Sequence, residues 1–210
     1  MTKITLLIVI VTTTVLCSWI SPVRRSRTAT IDVILPSMSF GNDHKEWKPS
    51  FFSALEERIK RVKLLNLESA TLREKDLEMR FWYDGRPYAI NGFVIHRLNG
   101  RWSAIGIRQV SDEWPSAVKR DDLGQPKSGW DVLWTRLVAL GLLTLPDGSA
   151  TKCKTEVLDG GAFVVETKTR RTYRTYRYGN PQVADCDEAK RIVSIEGIIA
   201  DEFRLRRSQK

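Results

Sequence analysis

The sequence is short of the residues from which most recognisable chemistry is built. Its 210 residues include two histidines, His44 and His96, and three cysteines. Four-ligand zinc sites need more His and Cys at closer spacing, so no metal is expected. No glycine run has the spacing of a Walker or dinucleotide loop. Gly160-Gly161 after Asp159 reads as a turn, and no cofactor is expected. No Gly-x-Ser-x-Gly elbow is present, and no repeat of 20 to 50 residues that would mark a solenoid or propeller. Adjacent carboxylates at Asp112-Glu113, Asp121-Asp122, Asp187-Glu188 and Asp201-Glu202 do not face each other on a helix, which makes them poor acid–base pairs. With 13 Gly, 8 Pro, 42% apolar and 28% charged residues, collagen-like, disordered and polytopic membrane classes are excluded.

Charge is also missing between Lys3 and Arg24. The run Ile4 to Leu16 has the length and flanking charge of a secretory signal core, with Val15-Leu16-Cys17 as a passable cleavage site, so residues 1–21 are read as a signal peptide. The alternative is an uncleaved anchor over residues 4–23, long enough to cross the bilayer, with Arg24, Arg25 and Arg27 holding the body in the cytoplasm. Leu16 stands where a lipoprotein signal needs a small residue, which argues against lipidation of Cys17. The net charge of +9 shrinks to +5 once Lys3, Arg24, Arg25 and Arg27 leave with residues 1–28. The remaining charges are interspersed, as on a solvated surface. Loss of Cys17 leaves Cys153 and Cys186, an even pair that an oxidising compartment would join as a disulfide.

Residues 22–46 read as a linker that includes the short apolar run Ile31 to Leu35. One α+β domain is expected over 47–205, followed by a basic tail at 206–210. Pro49-Ser50 opens a helix whose apolar stripe is Phe51, Phe52, Leu55, Ile59 and Val62, with Glu56 and Lys60 paired on the other face. From Leu77 the period drops to two: Leu77, Met79, Phe81 and Tyr83 alternate with Glu78, Arg80 and Trp82. A second strand over about 88–97, an Asn99-Gly100 hairpin turn and a third strand over 101–110 follow. Gly92 and Gly106 inside strands mark bulges or close approach. Residues 111–127 read as a long polar connection. A helix then resumes behind Ser128, capped with Asp131 at the box position, with Trp130, Leu133, Trp134, Leu137 and Val138 facing the core and Gly141 stopping it. Residues 161–168 and 171–178 form a second hairpin. A last helix starts at Asp185 with Glu188 at the box position. The expected fold is therefore α+β: a mostly antiparallel sheet of about five strands with three helices packed on one face.

Chemistry is concentrated in one basic, aromatic hairpin. Arg171, Arg174 and Arg177, with Lys168 and Arg170, interleave with Tyr173, Tyr176 and Tyr178, a composition that neutralises phosphates and stacks bases. The same residues also suit an exposed strand pair protected from aggregation by its charges. For an exported chain an anionic cell-envelope component or another protein is the expected partner rather than nucleic acid. Trp114, in the long connection, is a further binding candidate. His96 lies in a strand without a visible nucleophile beside it.

The blocks GFVIHRLNGRWSAIGIR at 92–108, KSGWDVLWTRLVALGLLTLPD at 127–147, TYRTYRYGNP at 172–181 and CDEAKRIVSIEGIIADEF at 186–203 are together similar to a family of uncharacterised secreted bacterial proteins. The resemblance implies export and pairing of Cys153 with Cys186, and it carries no reaction or catalytic residues. The leading expectation is thus an exported binding or interaction module with one disulfide. The alternatives are an enzyme centred near His96 and a membrane-anchored, cytoplasm-facing nucleic-acid binder.

Overall fold

The computed structural model describes residues 47–85, 89–110, 118–153 and 160–205. The proposed signal or anchor, the linker, the basic tail, His44 and Trp114 lie outside the described residues. The elements are α1 (Trp47–Arg61), β1 (Leu77–Gly85), β2 (Ala89–Leu98), β3 (Arg101–Gln109), β4 (Val118–Asp122), α2 (Trp130–Ala139), a 3-10 turn (Gly148–Ala150), β5 (Ala162–Thr169), β6 (Tyr173–Gly179) and α3 (Asp187–Glu202). All six strands form one antiparallel sheet in the order β4-β3-β2-β1-β5-β6, so the α+β expectation holds with one strand more than expected.

The local signals that set the hairpins are physical ones. Asn99 and Gly100 adopt φ of 54° and 76°, the pair of left-handed residues a type I′ turn requires. A Cβ on Gly92 would stand 2.7 Å from the Phe81 carbonyl oxygen and inside the Trp82 ring, so the absence of a side chain lets β1 and β2 close over that indole. The additional strand, β4, falls in the segment expected to be a connection. It pairs along the free edge of β3, Ile105 opposite Asp122 and Gln109 opposite Val118, and only Val118 of its five residues is buried.

Side-chain alternation divides the sheet into two covered faces, which corrects the expectation that all helices share one. On one face, Met79, Phe81, Ile95, Ala104, Phe163 and Val165 meet Leu133 and Leu137 of α2 and Ile192, Ile195 and Ile199 of α3. On the other, Trp82, Val94, Ile105, Ile107, Val118 and Val164 meet Phe51, Leu55, Ile59 and Val62 of α1. Strands β1 and β5, each paired along both edges, are consequently buried on both sides.

Two helix starts also differ from the sequence reading. α2 is preceded by Gly129 at φ 84°, with no side-chain cap; the Ser128 backbone N–H instead donates to Glu202 Oε2 at 2.8 Å. Arg136 donates to the other oxygen of Glu202 at 2.7 Å, so this one carboxylate ties both ends of α2 to the end of α3. At α3 the cap is Cys186, whose sulfur accepts from the Ala189 N–H at 3.4 Å, while Asp185 is exposed and paired with Lys190. α1 begins at Trp47, with Pro49 in its first turn, where no intrahelical hydrogen bond is lost. Cys153 and Cys186 stand at disulfide-bonding distance, Cα–Cα 5.4 Å, which brings the start of α3 to the segment that precedes β5.

Candidate functional site

The basic hairpin is β5–β6, and the two-residue period of β6 sends its residues to opposite faces. Arg174, Tyr176 and Tyr178 point toward α2 and α3; Tyr173, Thr175 and Arg177 point toward α1. Tyr176 and Tyr178 are core residues, 1% and 2% exposed, whose hydroxyls donate to the carbonyls of Leu142 and Pro146 at 2.9 and 2.8 Å. Burial pushes both phenols upward, that of Tyr178 to about 12. Arg174 donates to the carbonyls of Leu143 and Leu145 at 2.7 and 2.6 Å, and Asp147 accepts from the Arg177 backbone N–H at 3.0 Å. These residues thus latch the segment that follows α2 onto the sheet. Arg170 and Arg171, at the hairpin tip, both reach Glu74.

His96 is brought into a polar row across three strands: it lies opposite Glu78 on β1 and opposite Ser103 on β3. Its Nε2 is 2.5 Å from Ser103 Oγ. Its Nδ1 is buried, lacks a hydrogen-bond partner and stands 3.9 Å from Glu78 Oε2. Burial lowers the pKa of the ring, against the opposing pull of Glu78 and with help from Arg120 and Arg80.

The same face carries a group of charges that helices packed on one face alone would have left uncovered. Arg80 is 2% exposed and Glu166 2% exposed. Arg80 gives Nε to Glu78 Oε1 at 2.6 Å and Nη2 to the Leu65 carbonyl at 2.8 Å, and its Nη1 is buried with no partner. Glu166, directly opposite Arg80 across the strands, accepts from Trp82 Nε1 at 2.7 Å and from the Tyr173 hydroxyl at 3.0 Å. Burial pushes the Glu166 carboxyl upward, with Arg80 and the two hydrogen bonds pulling the other way. The Tyr173 phenol is pushed upward by burial and by the neighbouring Glu166 charge.

A cavity of about 570 Å³ opens between α1 and the β5–β6 hairpin, directly over this group. Phe52, Leu55 and Ile59 form its apolar wall, and Glu166, Tyr173 and Thr175 its polar floor. Thr175 lies opposite Glu166, and its Oγ1 is buried without a hydrogen-bond partner. Lys48, Glu56, Asn66 and Glu68 stand around the opening. The volume is of the size that small-molecule sites have, and the lining mixes apolar and polar side chains. His96 is not among the lining residues. Of the cavity residues only Tyr173 and Arg174 were candidates from sequence. The missed signal was that α1, with its own apolar stripe, needs a sheet face to cover; that places the polar residues alternating through β1 and β5 underneath it.

Among the described residues, the grouping with metal-ligand spacing is Cys153, Cys186 and Glu188, whose ligand atoms lie within 4.8 Å of one another. Joined as a disulfide, the two sulfurs carry no thiolate to offer a metal. Among the described residues no helix is long and apolar enough to cross a membrane. The chain was compared with protein-family models, curated proteins and solved structures, and none of them matches it.

Proposed function

We propose that the chain is an exported binding module, held by a Cys153–Cys186 disulfide, that takes a small ligand into the cavity beneath α1. The carrying observation is the floor of that cavity, where Thr175 Oγ1 lies buried without a partner beside the buried carboxylate of Glu166. Leaving the Thr175 hydroxyl unsatisfied costs roughly 1–3 kcal/mol, a cost that a ligand supplying the missing bond removes. Export is supported by the apolar run at 4–16 and by the cysteine pair at bonding distance. The test is a chemically diverse small-molecule library titrated into the isotope-labelled protein. Hits should shift the amide resonances of Phe52, Leu55, Glu166 and Thr175 together; hits confined to other surfaces would overturn the assignment.

A second reading, an enzyme centred on His96, draws support from the Ser103 hydroxyl at 2.5 Å from Nε2 and from a ring that burial holds in its basic form. The binding reading ranks above it because Nδ1, at 3.9 Å from Glu78, is too far to be oriented by a hydrogen bond. A fluorophosphonate probe labelling Ser103 would reverse that ranking.

A further inference from the structure

We propose that the ligand of the α1 cavity is a primary ammonium with an apolar body, its charged end held by Glu166 and Thr175 and its body laid against Phe52, Leu55 and Ile59. This rests on the cavity being a ligand site.

The argument begins with charge on the α1 face. Buried there are two carboxylates, Glu78 and Glu166, and one guanidinium, Arg80. Arg80 spends its Nε on Glu78, and both hydrogen bonds that Glu166 accepts come from neutral groups, Trp82 and Tyr173. One buried carboxylate therefore lacks a directly bonded cation, an arrangement that proteins avoid because of its desolvation cost. Arg80, directly opposite Glu166, acts on it by charge but donates to Glu78 and the Leu65 carbonyl, and among the described residues the other cations are engaged elsewhere. His96 is held toward its neutral form by burial. Lys168 donates to the Glu68 carbonyl at 2.7 Å and stands over the Tyr173 ring. Arg174 lines the cavity, but its guanidinium is bound to the carbonyls of Leu143 and Leu145. Among the described residues around the opening, Glu56 is paired with Lys60, and Glu68 and Lys48 add one charge of each sign.

Geometry agrees with charge. Glu166 and Thr175 are direct cross-strand partners on one face, so their polar ends lie within reach of a single donor group. An ammonium carries three donors and no acceptor, which suits a carboxylate and a hydroxyl oxygen placed side by side. An alcohol would satisfy Thr175 and leave the Glu166 charge uncompensated. A carboxylate ligand would meet Glu166 at the floor and Glu56 and Glu68 at the opening.

The test is a titration of the full chain with three six-carbon probes, hexylammonium, hexanol and hexanoate, followed by calorimetry and amide resonances between about pH 5 and pH 8. Hexylammonium should bind roughly tenfold or more tightly than hexanol, the scale of one charge-assisted hydrogen bond, and hexanoate least well. Its affinity should rise with pH, because burial pushes the Glu166 carboxyl upward and the ammonium needs the carboxylate. Glu166→Gln should erase both the preference and the pH dependence while hexanol still binds; the probe series on the unaltered chain decides the matter if that variant does not fold. Hexanol or hexanoate binding as well as hexylammonium in the cavity would overturn the ammonium assignment and leave the cavity as a ligand site. Absence of saturable binding by all three, with no shift at Phe52, Leu55 or Thr175, would overturn both.

Discussion

The two faces of the sheet are both covered by helices but are built for different ends. Beneath α2 and α3 the contacts are apolar, and the tyrosines that reach in place their hydroxyls on the carbonyls of Leu142 and Pro146. Its edges are fastened by Glu202 to Ser128 and Arg136 and by the cysteine pair at the start of α3. Beneath α1 the apolar contacts occupy the half around Trp82, Val94, Ile105 and Val164. The other half holds Glu78, Arg80, Glu166 and His96, with Arg80 Nη1, His96 Nδ1 and Thr175 Oγ1 lacking partners and a cavity above. Among the described residues none of those three orphaned atoms is on the α2/α3 side. One face closes the fold; the other keeps polar groups buried at a cost to stability, as binding sites do.

Matched truncations test that difference most strongly. Ile195→Ala, at a site with no exposure, should remove about 3–5 kcal/mol of global stability in urea unfolding, because the packed α3 face cannot collapse into the hole. Leu55→Ala, which is as well buried, should cost about 2–3 kcal/mol, since its void merges with an existing cavity. Equal losses would break the contrast.

Next in size is the sulfur link. With a sequence separation of 33 residues, the chain-entropy argument assigns it roughly 3–4 kcal/mol. Reductant, or Cys153→Ser with Cys186→Ser, should lower the unfolding free energy by about that amount and the melting temperature with it. Hydrogen exchange should fall in protection at α3 and leave α1 no less protected relative to the remainder.

Titration acts on the α1 face with smaller effect. The folded His96 ring has a pKa below its ordinary 6.5 because it is buried. The unfolded chain therefore binds the proton first, and this contribution to stability is complete above about pH 6.5 and lost as pH falls below it, by at most about 1.4 kcal/mol per pH unit. His96→Gln should flatten that limb of the stability–pH curve. Smallest of all, Glu56→Gln breaks an exposed i,i+4 pair with Lys60 and should change stability by about 0.3–0.5 kcal/mol in thermal unfolding, less at high salt.

Local signals made much of the fold legible. The Asn99-Gly100 turn, the Glu56–Lys60 pair and the stop at Gly141 each depend on residues within a turn or two of one another, and each lies where the pattern placed it. What stayed hidden depends on distant partners. β4 is charged and short, and it is a strand because the free edge of β3 accepts it; the ion pairs from Asp121 to Arg108 and Lys119 form on that pairing. Ser128 has the local form of a cap, yet its N–H goes to Glu202, which the chain delivers from the end of α3. The candidate site was the least legible part. The alternation along β1 does not show that α1 and residues 64–69 lie over its polar residues, and the arginines and tyrosines that stood out in β6 are separated by the same alternation.

The contrast between a fastened face and an open one is tested most directly by native-state hydrogen exchange on the oxidised full chain. The amides of α3 should exchange only through global unfolding, and those of α1 through a separate opening of lower free energy and smaller denaturant dependence. Exchange of α1 at the global free energy, with the same denaturant slope as α3, would contradict it.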